Sequence, residues 1–528
     1  LRNPLTSLGW TLAAAAAGTL GLAAVVDRLP GAVAALAAGP DTSLPRLMAI
    51  ELAAAALLLL PSTLAFGAAF PFALAAAGGA RDPAGGAARL YAANTTGAIA
   101  GALAAGFLFV PSVGLLATLE LVAAVLAVTG VTMAAIGSTR QTSRVAAAAA
   151  GFALLAVAAT LPPWNLALLT GGAYKYAAYQ RGIDVEVGLE AGTLLYVEEG
   201  GSGTVTVRQL AGSRSLAIDG KVDASDAADM LTERLLAHLP LLLHPQPRSV
   251  AIVGLGSGVT AGSALRHPIE RLDVLELSPQ VVEASAFFAH VNHRPLEDRR
   301  SRLRLTDART HLLLSPRHYD VVISEPSNPW IAGMASLFTR EFFEIVRSRL
   351  EPGGLFCQWA HTYDISDDDL RSIVATFVRV FPEATLWLAG EGDLLLVGTA
   401  GGPPRLERLA AGFSRPRVAE DLAAVGVTSP FVLLSLFAGG PEAARAYAGG
   451  APIQTDDRLG LEFSGPFALY GPGGRADLRR LRALAAAPPP AVAVALARAT
   501  ASDWRDRGLA LLEADAFDLA FDDLARAA

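Results

Sequence analysis

The stretch Val250-Ala251-Ile252-Val253-Gly254-Leu255-Gly256-Ser257-Gly258 decides the fold of the second half of this chain. Its four apolar residues predict a buried strand, and three glycines at alternate positions follow directly. Glycine lets the backbone approach a ligand closely, and the helix after such a loop exposes its first amide groups. Val259 stands where the dinucleotide fingerprint G-x-G-x-x-G needs its third glycine. The loop therefore favours an adenosyl-sulfonium ligand over a nicotinamide dinucleotide.

Two acidic residues extend this pattern into a nucleoside pocket. A second predicted strand, Leu272–Leu275, ends in Glu276. An acid at this distance from the glycine loop can bind both ribose hydroxyls. The triplet Thr306-Asp307-Ala308 follows the next apolar stretch, where an aspartate can accept from an adenine amino group. The predicted nucleoside-binding residues are Gly254, Gly256, Ser257, Gly258, Glu276, Asp307 and Ala308.

The loop Ser324–Trp330 follows another predicted strand, Tyr319–Ile323, and carries the candidate catalytic residue. In open α/β sheets, ligands bind at the carboxyl ends of the strands. Packing in a hydrophobic core does not explain a glutamate at position 325. Glu325 either caps a helix or forms a loop salt bridge, or it orients and deprotonates an amine that attacks a sulfonium carbon.

An acidic run lies upstream of the glycine loop. Asp226 and Asp229 fit the first turn of a helix, where negative charge is favourable. Asp219 and Asp223 flank a Gly-Lys-Val turn and are candidates for the pocket mouth.

The sequence argues against several other kinds of site. His290 and His293 have no cysteine or acid nearby that completes a ligand set, so we expect no metal. The single Cys357 excludes a disulfide framework. Nucleic-acid binding needs clustered Lys and Arg, and the second half of the chain is acidic.

Composition divides the chain into a membrane part and an acidic soluble part. Hydrophobic residues make up 52% and charged residues 17%, which is too apolar for a wholly soluble protein. Residues 1–161 contain seven Arg, no Lys and five acids, a net charge of +2. Because the whole chain has a net charge of −7, the remainder has a net charge of −9. An acidic soluble part suits a cationic substrate.

The membrane part shows five apolar runs of spanning length. The third contains Gly97-Ala98-Ile99-Ala100-Gly101, a small-xxx-small face that permits close helix packing. Pro111 predicts a tight turn that makes the third and fourth runs a hairpin. Glu120 in the fourth run either interacts with a polar partner or lies at the membrane interface, or it has a role in transport. The runs are 8–26, 47–70, 91–110, 112–136 and 145–161.

Counting arginines by alternating loops creates a conflict over topology. Five spans with the arginine-rich side cytoplasmic would place the soluble part outside the cell, whereas adenosyl co-substrates are made inside. We therefore expect a cytoplasmic soluble part and one run that does not cross, with 145–161 the first suspect. One side carries Arg2, Arg81, Arg89, Arg140 and Arg144, and the other carries Arg28 and Arg46.

These patterns predict an N-terminal transmembrane helix bundle, a small antiparallel β domain, an α/β methyltransferase-like Rossmann domain and a helical C-terminal tail. Three alternating segments, Leu194–Glu199, Gly203–Leu210 and Ser215–Ile218, carry the β prediction, and a helix is expected at 226–243. Because the chain starts at Leu1, we expect a fragment. The expected domains are 1–161 (membrane), 170–225 (β), 226–400 (adenosyl-binding α/β) and 401–528 (mainly helical).

The chain resembles the spermidine synthase (polyamine aminopropyltransferase) family, and more closely its membrane-fused branch. The similarity covers roughly 170–400. Ala237-His238-Leu239-Pro240-Leu241, followed by His244-Pro245 and the glycine loop, is specific to this family. Gln454-Thr455-Asp456-Asp457-Arg458 resembles it more weakly. Tyr91–Gly97, together with Gly106-Phe107, is similar to the membrane branch.

The resemblance implies a transfer of an aminopropyl group from decarboxylated S-adenosylmethionine to a diamine such as putrescine. It further implies a β-hairpin domain before the sheet, no metal, and a possible homo-oligomer. By match, Glu276 would bind ribose, Asp307 and Ala308 the adenine, and Glu325 stands where the family has its catalytic Asp. The implied substrate-binding residues are Asp219, Asp223, Asn328 and Tyr363.

Three departures affect the amine end of the implied site. Ser257 replaces the family's Asp that grips the aminopropyl amine, Asp223 replaces a Gln, and Asn328 replaces a second loop Asp. Charge-assisted contacts to ammonium groups contribute about 1.5–3 kcal/mol each, so an acceptor other than putrescine stays open. Two other functions also stay open: an S-adenosylmethionine-dependent methyltransferase, and a non-catalytic polyamine transporter or sensor.

Overall fold

The computed structural model describes residues 3–37, 44–77, 83–176, 184–390, 392–470, 480–481, 483, 489–513 and 517–528. Arg2 and Arg81, which the topology prediction uses, lie outside these residues. The chain forms two compact units: residues 1–206 with 219–221, and residues 207–218 with 222–528. The four predicted domains do not follow this division, and their boundaries stay a prediction.

The first unit begins with apolar helices. In the described part of the chain, four helical stretches are long and apolar enough to cross a membrane: Pro4–Leu36, Pro45–Ala77, Ala84–Gly137 and Gln141–Thr160. A 3-10 turn, Val26–Arg28, and a π-helical turn, Ala105–Phe109, interrupt the α-helices. The α-helices are α1 Pro4–Ala23, α2 Leu29–Ala37, α3 Leu44–Ala77, α4 Pro83–Ala104, α5 Val110–Gly137, α6 Gln141–Thr160, α7 Leu166–Leu169, α8 Ala173–Tyr176 and α9 Val185–Glu190.

The third and fourth predicted spans form one long stretch in place of a hairpin. Pro111 lies in the first turn of α5, where the amide that proline lacks would have no helical partner. The expected tight turn there is wrong. The backbone leaves helical geometry at Gly114 instead, with φ 83° and ψ 168°. Beyond that break, α5 packs against α1 and α6.

Close helix packing uses glycines other than the predicted pair. A Cβ at Gly97 or Gly101 would meet nothing within 4 Å among the described residues, so the predicted packing face is wrong there. A Cβ at Gly9 of α1 would lie 2.5 Å from the Gly130 carbonyl oxygen of α5. These two glycines let α1 and α5 approach closely.

A small sheet of four strands follows the helices. Two residues separate each pair of consecutive strands, which requires an antiparallel arrangement. The three predicted strands are confirmed, and the fourth was missed because its two charged residues obscure the alternation. The strands are β1 Thr193–Gly200, β2 Gly203–Leu210, β3 Ser213–Ile218 and β4 Lys221–Ser225, in spatial order β1-β2-β3-β4.

The second unit is built on an eight-stranded sheet. The strands are β5 Ser249–Val253, β6 Arg271–Glu276, β7 Ser301–Leu305, β8 Tyr319–Ser324, β9 Leu350–His361, β10 Thr385–Ala389, β11 Asp393–Thr399 and β12 Phe437–Gly439. Their order is β12-β10-β11-β9-β8-β5-β6-β7. Strands β5 to β9 pair in parallel, and β10, β11 and β12 add antiparallel pairs. The order reverses at β5, which lies between β6 and β8, and ligands bind at such switch points.

Helices cover this sheet and complete the predicted Rossmann-like methyltransferase fold. Packed phenylalanines form the core on one face: Phe342, Phe343, Phe356, Phe377 and Phe381. The helices are α10 Met230–Leu243, α11 Val259–Ala264, α12 Pro279–Ser285, α13 Ala308–Leu314, α14 Arg340–Ser348, α15 Asp367–Val380, α16 Arg408–Gly412, α17 Pro416–Ala423, α18 Pro430–Ser435, α19 Pro441–Ala448, α20 Gly460–Tyr470, α21 Pro490–Ala497, α22 Ala501–Glu513 and α23 Phe517–Ala527. Three 3-10 turns are Ala286–Phe288, Pro295–Glu297 and Met334–Phe338.

Two details of this unit differ from the sequence prediction. The helix expected at 226–243 begins at Met230, after the acidic run. The C-terminal region is mainly helical, as expected. It also contributes β12, which pairs with β10 at the edge of the main sheet. That strand has only three residues, too few for a recognisable alternation.

Candidate active site

The glycine loop joins the ends of three neighbouring strands. Gly254, Gly256 and Gly258 have φ of +92°, +52° and +83°, a region that favours glycine. The Gly254 amide donates to the carbonyl of Leu275 at 2.9 Å. A Cβ at Gly254 would lie 2.9 Å from the carbonyl oxygen of Glu325. The loop therefore places the β5, β6 and β8 ends in direct contact.

Glu276 closes this loop from β6. Its side chain is buried, and its carboxylate accepts from the amides of Leu255 at 2.9 Å, Leu277 at 2.7 Å and Ser278 at 2.8 Å. Burial raises the pKa of Glu276, and the three amide donors oppose that shift. These bonds give Glu276 a structural role and use three of its four lone pairs, which leaves one for a ribose hydroxyl. Ribose binding stays a prediction.

Asp307 and Ala308 lie next to Glu276. The Thr306 amide donates to the Glu276 carbonyl at 2.8 Å. Asp307 is the exposed N-cap of α13 and accepts from the Thr310 amide at 2.7 Å, while Ala308 is buried. Their predicted place beside the ribose acid is consistent with adenine binding, which stays a prediction.

Glu325 lies at the carboxyl end of β8. Its amide donates to the Val253 carbonyl at 3.1 Å, and its carboxyl oxygen Oε2 lies 2.8 Å from the Thr260 hydroxyl. Burial raises the pKa of Glu325 to about 8, and the charges of Asp393 and Asp223 act in the same direction. Glu325 caps no helix here, and it forms no ion pair with any described residue.

A second buried carboxyl, Glu233, faces the same loop and was missed by the sequence analysis. It lies on α10 with 3% of its surface exposed, and its Oε1 accepts from the Ser257 hydroxyl at 2.8 Å. Its Oε2 has no hydrogen-bond partner among the described residues. Burial raises the pKa of Glu233 well above its usual value, and the charge of Glu325 raises it further.

Thr260 connects the backbone of Glu233 to the carboxyl group of Glu325. Its Oγ1 lies 2.9 Å from the Glu233 carbonyl oxygen and 2.8 Å from Glu325 Oε2. The hydroxyl has one proton to donate, and a carbonyl oxygen can only accept. Both contacts are hydrogen bonds when Thr260 donates to the carbonyl and a protonated Glu325 donates to Thr260. This geometry agrees with the raised pKa of Glu325.

An aromatic row borders the site at the end of β9. Trp359 and His361 stack with ring centroids 5.7 Å apart, and Tyr363, a predicted substrate-binding residue, follows at 5.2 Å from His361. Asp393 accepts from Trp359 Nε1 at 2.8 Å and from the Thr232 hydroxyl at 2.6 Å. Aromatic faces beside carboxylates suit organic cations.

The other two predicted substrate-binding residues of this unit also reach the site. Asp223 accepts a close hydrogen bond from the Ser327 hydroxyl, and its charge raises the pKa of both Glu276 and Glu325. Asn328 is fully buried, and neither its amide oxygen nor its nitrogen has a hydrogen-bond partner among the described residues. An unfilled buried amide can bind a ligand.

The remaining acids have local partners. Asp219 belongs to the first unit and accepts from the Thr204 amide at 2.8 Å, so its pocket-mouth role stays a prediction. Asp226 accepts from the Arg214 amide at 2.7 Å and lies 2.8 Å from His290. Among the described residues, no group of three or more His, Cys, Asp and Glu is arranged to hold a metal.

The chain matches the family described as the spermine/spermidine synthase domain over residues 230–389. This matched segment, hereafter the synthase domain, covers less than half of the chain. The chain is 27% identical over 176 residues to a polyamine aminopropyltransferase of Caldicellulosiruptor saccharolyticus, covering 33% of this chain and 63% of that protein. It is 32% identical over 168 residues to putrescine N-methyltransferase 2 of Nicotiana tabacum, covering 31% and 47%.

A solved spermidine synthase in complex with the transition-state analogue AdoDATO is also similar. It is 22% identical with a TM-score of 0.38, covering 41% of this chain and 78% of that one. The chain spans less than two thirds of the length of these curated relatives. The synthase domain contains the glycine loop, Glu233, Glu276 and Glu325, whereas Asp393 follows it.

The weakly similar segment after the synthase domain supports packing. Asp456 accepts from the Arg309 guanidinium at 2.8 Å and from the Thr339 hydroxyl at 2.9 Å. Gln454 donates to the Ser372 hydroxyl at 2.6 Å. The segment thus connects α13, α14 and α15.

Proposed function

We propose that the synthase domain transfers an aminopropyl group from decarboxylated S-adenosylmethionine to an amine, with Glu325 as the base. One observation carries this proposal: Glu325, with its pKa raised to about 8, lies against a glycine loop at the switch point of the sheet. A base whose pKa lies near the working pH is the most effective proton acceptor.

The reaction is a displacement at carbon. The acceptor nitrogen uses its lone pair to form a bond to the methylene carbon next to the sulfonium. The carbon–sulfur bond breaks, its electron pair stays on sulfur, and methylthioadenosine leaves as a neutral thioether. The new ammonium group loses a proton to the Glu325 carboxylate, which restores a neutral amine.

The residues present suit a cationic nucleoside. Positive φ at three glycines leaves the loop backbone open to an adenosyl group. Four acids, Asp223, Glu233, Glu325 and Asp393, approach the same region and match the sulfonium and ammonium charges. The unfilled amide of Asn328 adds a polar group that a ligand can satisfy.

Turnover by the purified full chain tests the proposal. With decarboxylated S-adenosylmethionine and a series of diamines, we expect methylthioadenosine and an aminopropylated product. Glu325→Gln should lower kcat by about 10²–10⁴-fold, the usual contribution of a general base, with methylthioadenosine affinity unchanged. Glu297→Gln, at an exposed ion pair with Arg294 in the same unit, is the matched control. Full turnover in Glu325→Gln would exclude Glu325 as the base.

Methyl transfer is the second candidate function, because one similar protein is a putrescine N-methyltransferase. The same carboxylate would accept the proton from the methylated amine. Calorimetry with intact and decarboxylated S-adenosylmethionine separates the two reactions. Tighter binding of the decarboxylated form supports aminopropyl transfer, and tighter binding of the intact form supports methyl transfer.

We also infer that the apolar helices anchor the protein in the cell membrane with the synthase domain in the cytoplasm. Four crossings put both ends of the helical region on the same side of the membrane. We assign that side to the cytoplasm because adenosyl co-substrates are made there. Protease added to sealed right-side-out vesicles should leave the synthase domain intact and digest it after permeabilisation. Digestion in sealed vesicles would reverse the assigned side.

A further inference from the structure

Helix α10 supplies a carboxyl group to the glycine loop, at the place where the loop itself carries a serine. The Ser257 hydroxyl donates to Glu233 Oε1 at 2.8 Å and also accepts from the Val259 amide at 3.2 Å. Ser257 is buried as well. The serine therefore holds the Glu233 carboxyl in a fixed position against the loop.

Glu233 forms no ion pair with a described residue, although the charge of Arg234 lowers its pKa. Its neighbour Arg234 donates to the Asp421 carbonyl at 2.5 Å and to the Asp421 carboxylate at 3.0 Å, so that guanidinium is engaged elsewhere. Glu233 Oε2 accepts no hydrogen bond from the residues described. Burying a charged carboxylate without a partner is costly. Such a group calls for a cationic ligand.

The second acid strengthens this conclusion. Thr260 contacts both the Glu233 backbone carbonyl and the Glu325 carboxyl, and the charge of Glu325 raises the pKa of Glu233, so the two side chains are close enough to interact. Two buried carboxyls so close to each other do not both ionise without a counter-charge. A cation that binds Glu233 therefore also changes the protonation of Glu325.

We propose that Glu233 binds the primary ammonium group of the aminopropyl donor, and that this binding releases the proton from Glu325. The inference rests on the proposed function, because it assigns one end of the donor in the same site. Before binding, Glu325 holds a proton that it donates to Thr260. After binding, that proton has gone to solvent, and two carboxylates face the ammonium and sulfonium charges of the donor. Glu325 is then a free base for the acceptor amine.

Binding measurements with matched ligands test the ammonium contact. Methylthioadenosine is the comparator, because it lacks the aminopropyl ammonium group. Glu233→Gln should weaken binding of decarboxylated S-adenosylmethionine by about 10- to 100-fold, as expected for one charge-assisted contact. Its methylthioadenosine affinity should equal that of the wild type, which also shows that the variant is folded. Equal loss for both ligands, or no loss for either, would overturn the inference.

Moving the carboxylate from Glu233 to the position of Ser257 gives a second, independent test. The double variant Glu233→Gln with Ser257→Asp returns a carboxylate to the loop and should recover most of the donor affinity. Ser257→Ala keeps the acid but removes the hydrogen bond that positions it, so a loss of a few-fold is expected. If Glu233→Gln does not fold, the donor affinity of Ser257→Ala, compared with its methylthioadenosine affinity, still decides the matter. No recovery in a folded double variant and no loss in Ser257→Ala would contradict the proposal.

Measuring the protons released when the donor binds tests whether donor binding at Glu233 deprotonates Glu325. Calorimetry at pH 7 in two buffers with different ionisation enthalpies should show release of up to one proton when wild type binds the donor. Glu233→Gln and the methylthioadenosine titration should both show much less. A rise in KM for the diamine, with unchanged donor affinity, would assign Glu233 to the acceptor and overturn the choice of donor. Selective donor binding without turnover would refute the proposed function and leave this inference standing.

Discussion

Glu325 holds a proton at neutral pH in the ligand-free site, because burial raises its pKa to about 8. The proposed reaction needs the ionised form. The pH dependence of kcat/KM reports groups of the free enzyme, and that of kcat reports groups of the enzyme with substrate bound. The two profiles therefore separate the state of Glu325 before and after the donor arrives.

We expect kcat/KM to rise with pH and to level off above an apparent pKa near 8. If donor binding releases the Glu325 proton, the kcat profile should level off at lower pH than the kcat/KM profile. Steady-state rates between pH 6 and 9.5 measure both. Coincident midpoints would argue against a proton released on binding.

The sequence located the residues on the loop and strand ends but not their partners. Glu276, Asp307 and Glu325 each follow a recognisable strand, so their positions at the sheet edge were predictable. Glu233 stands in the helical segment Leu231-Thr232-Glu233-Arg234 and has no distinguishing spacing. Asp393 lies 68 residues beyond Glu325 along the chain. Only the packing of α10 against the sheet and the pairing of β11 with β9, the strand next to β8, make these acids part of the site.

At the scale of single elements, the turn between β5 and α11 depends on a glycine for two reasons. Gly254 has φ of +92°, and a Cβ there would lie 2.9 Å from the Glu325 carbonyl oxygen. Gly212, in the turn between β2 and β3, has the same φ of +92° but nothing within 4 Å of its Cβ position. An alanine at Gly212 would therefore suffer backbone strain alone, whereas an alanine at Gly254 would suffer both backbone strain and a steric conflict.

Both glycine-to-alanine variants should lose about 1–2 kcal/mol of unfolding free energy, the cost of a left-handed alanine. Gly254→Ala should lose further stability and lower kcat more than tenfold, because the added methyl displaces the Glu325 backbone. Gly212→Ala should keep normal kcat. Urea unfolding and steady-state assays measure both effects, and equal behaviour of the two variants would show that the loop adapts without moving Glu325.

Short or charged elements escaped the sequence analysis for a physical reason. Strand β4, Lys221–Ser225, contains two charges in five residues, and β12, Phe437–Gly439, is too short to show alternation. Their pairing partners stabilise them. Likewise, alanine-rich helices offer many small-xxx-small spacings, and only the three-dimensional packing of α1 on α5 selects Gly9 and Gly130 over Gly97 and Gly101.

At the scale of the whole second unit, a buried charge network ties the C-terminal helix α17 to the helices that carry Glu233 and Thr260. Asp421 accepts from Arg234 at 3.0 Å, from His238 at 2.7 Å, from the Ser263 hydroxyl at 2.7 Å and from His293 at 2.6 Å. Burial opposes ionisation, but these donors and the Arg234 charge hold the pKa of Asp421 well below its usual range. Its stabilising effect is therefore present at neutral pH and is lost in acid.

Replacing Asp421 by Asn should lower the unfolding free energy at pH 7 by about 3–5 kcal/mol, because Arg234 then stays buried without a countercharge. The adjacent Glu420 pairs with Arg266 at 2.6 Å, but its side chain is 75% exposed. Glu420→Gln should change stability by only about 0–1 kcal/mol. Urea unfolding at pH 7 compares the two variants. Similar losses in both would mean that the network adds little to stability.

The sequence by itself determined the order of apolar helices, small sheet and parallel sheet, and the position of the glycine loop. Those features follow from periodicity and glycine spacing within contiguous segments. Only the tertiary structure decided that two carboxyls, Glu233 and Glu325, share the site, where Ser257 is hydrogen-bonded to Glu233 and Thr260 to Glu325. Three segments meet there because parallel strands end at one edge of the sheet, and burial at that edge sets the protonation of both acids.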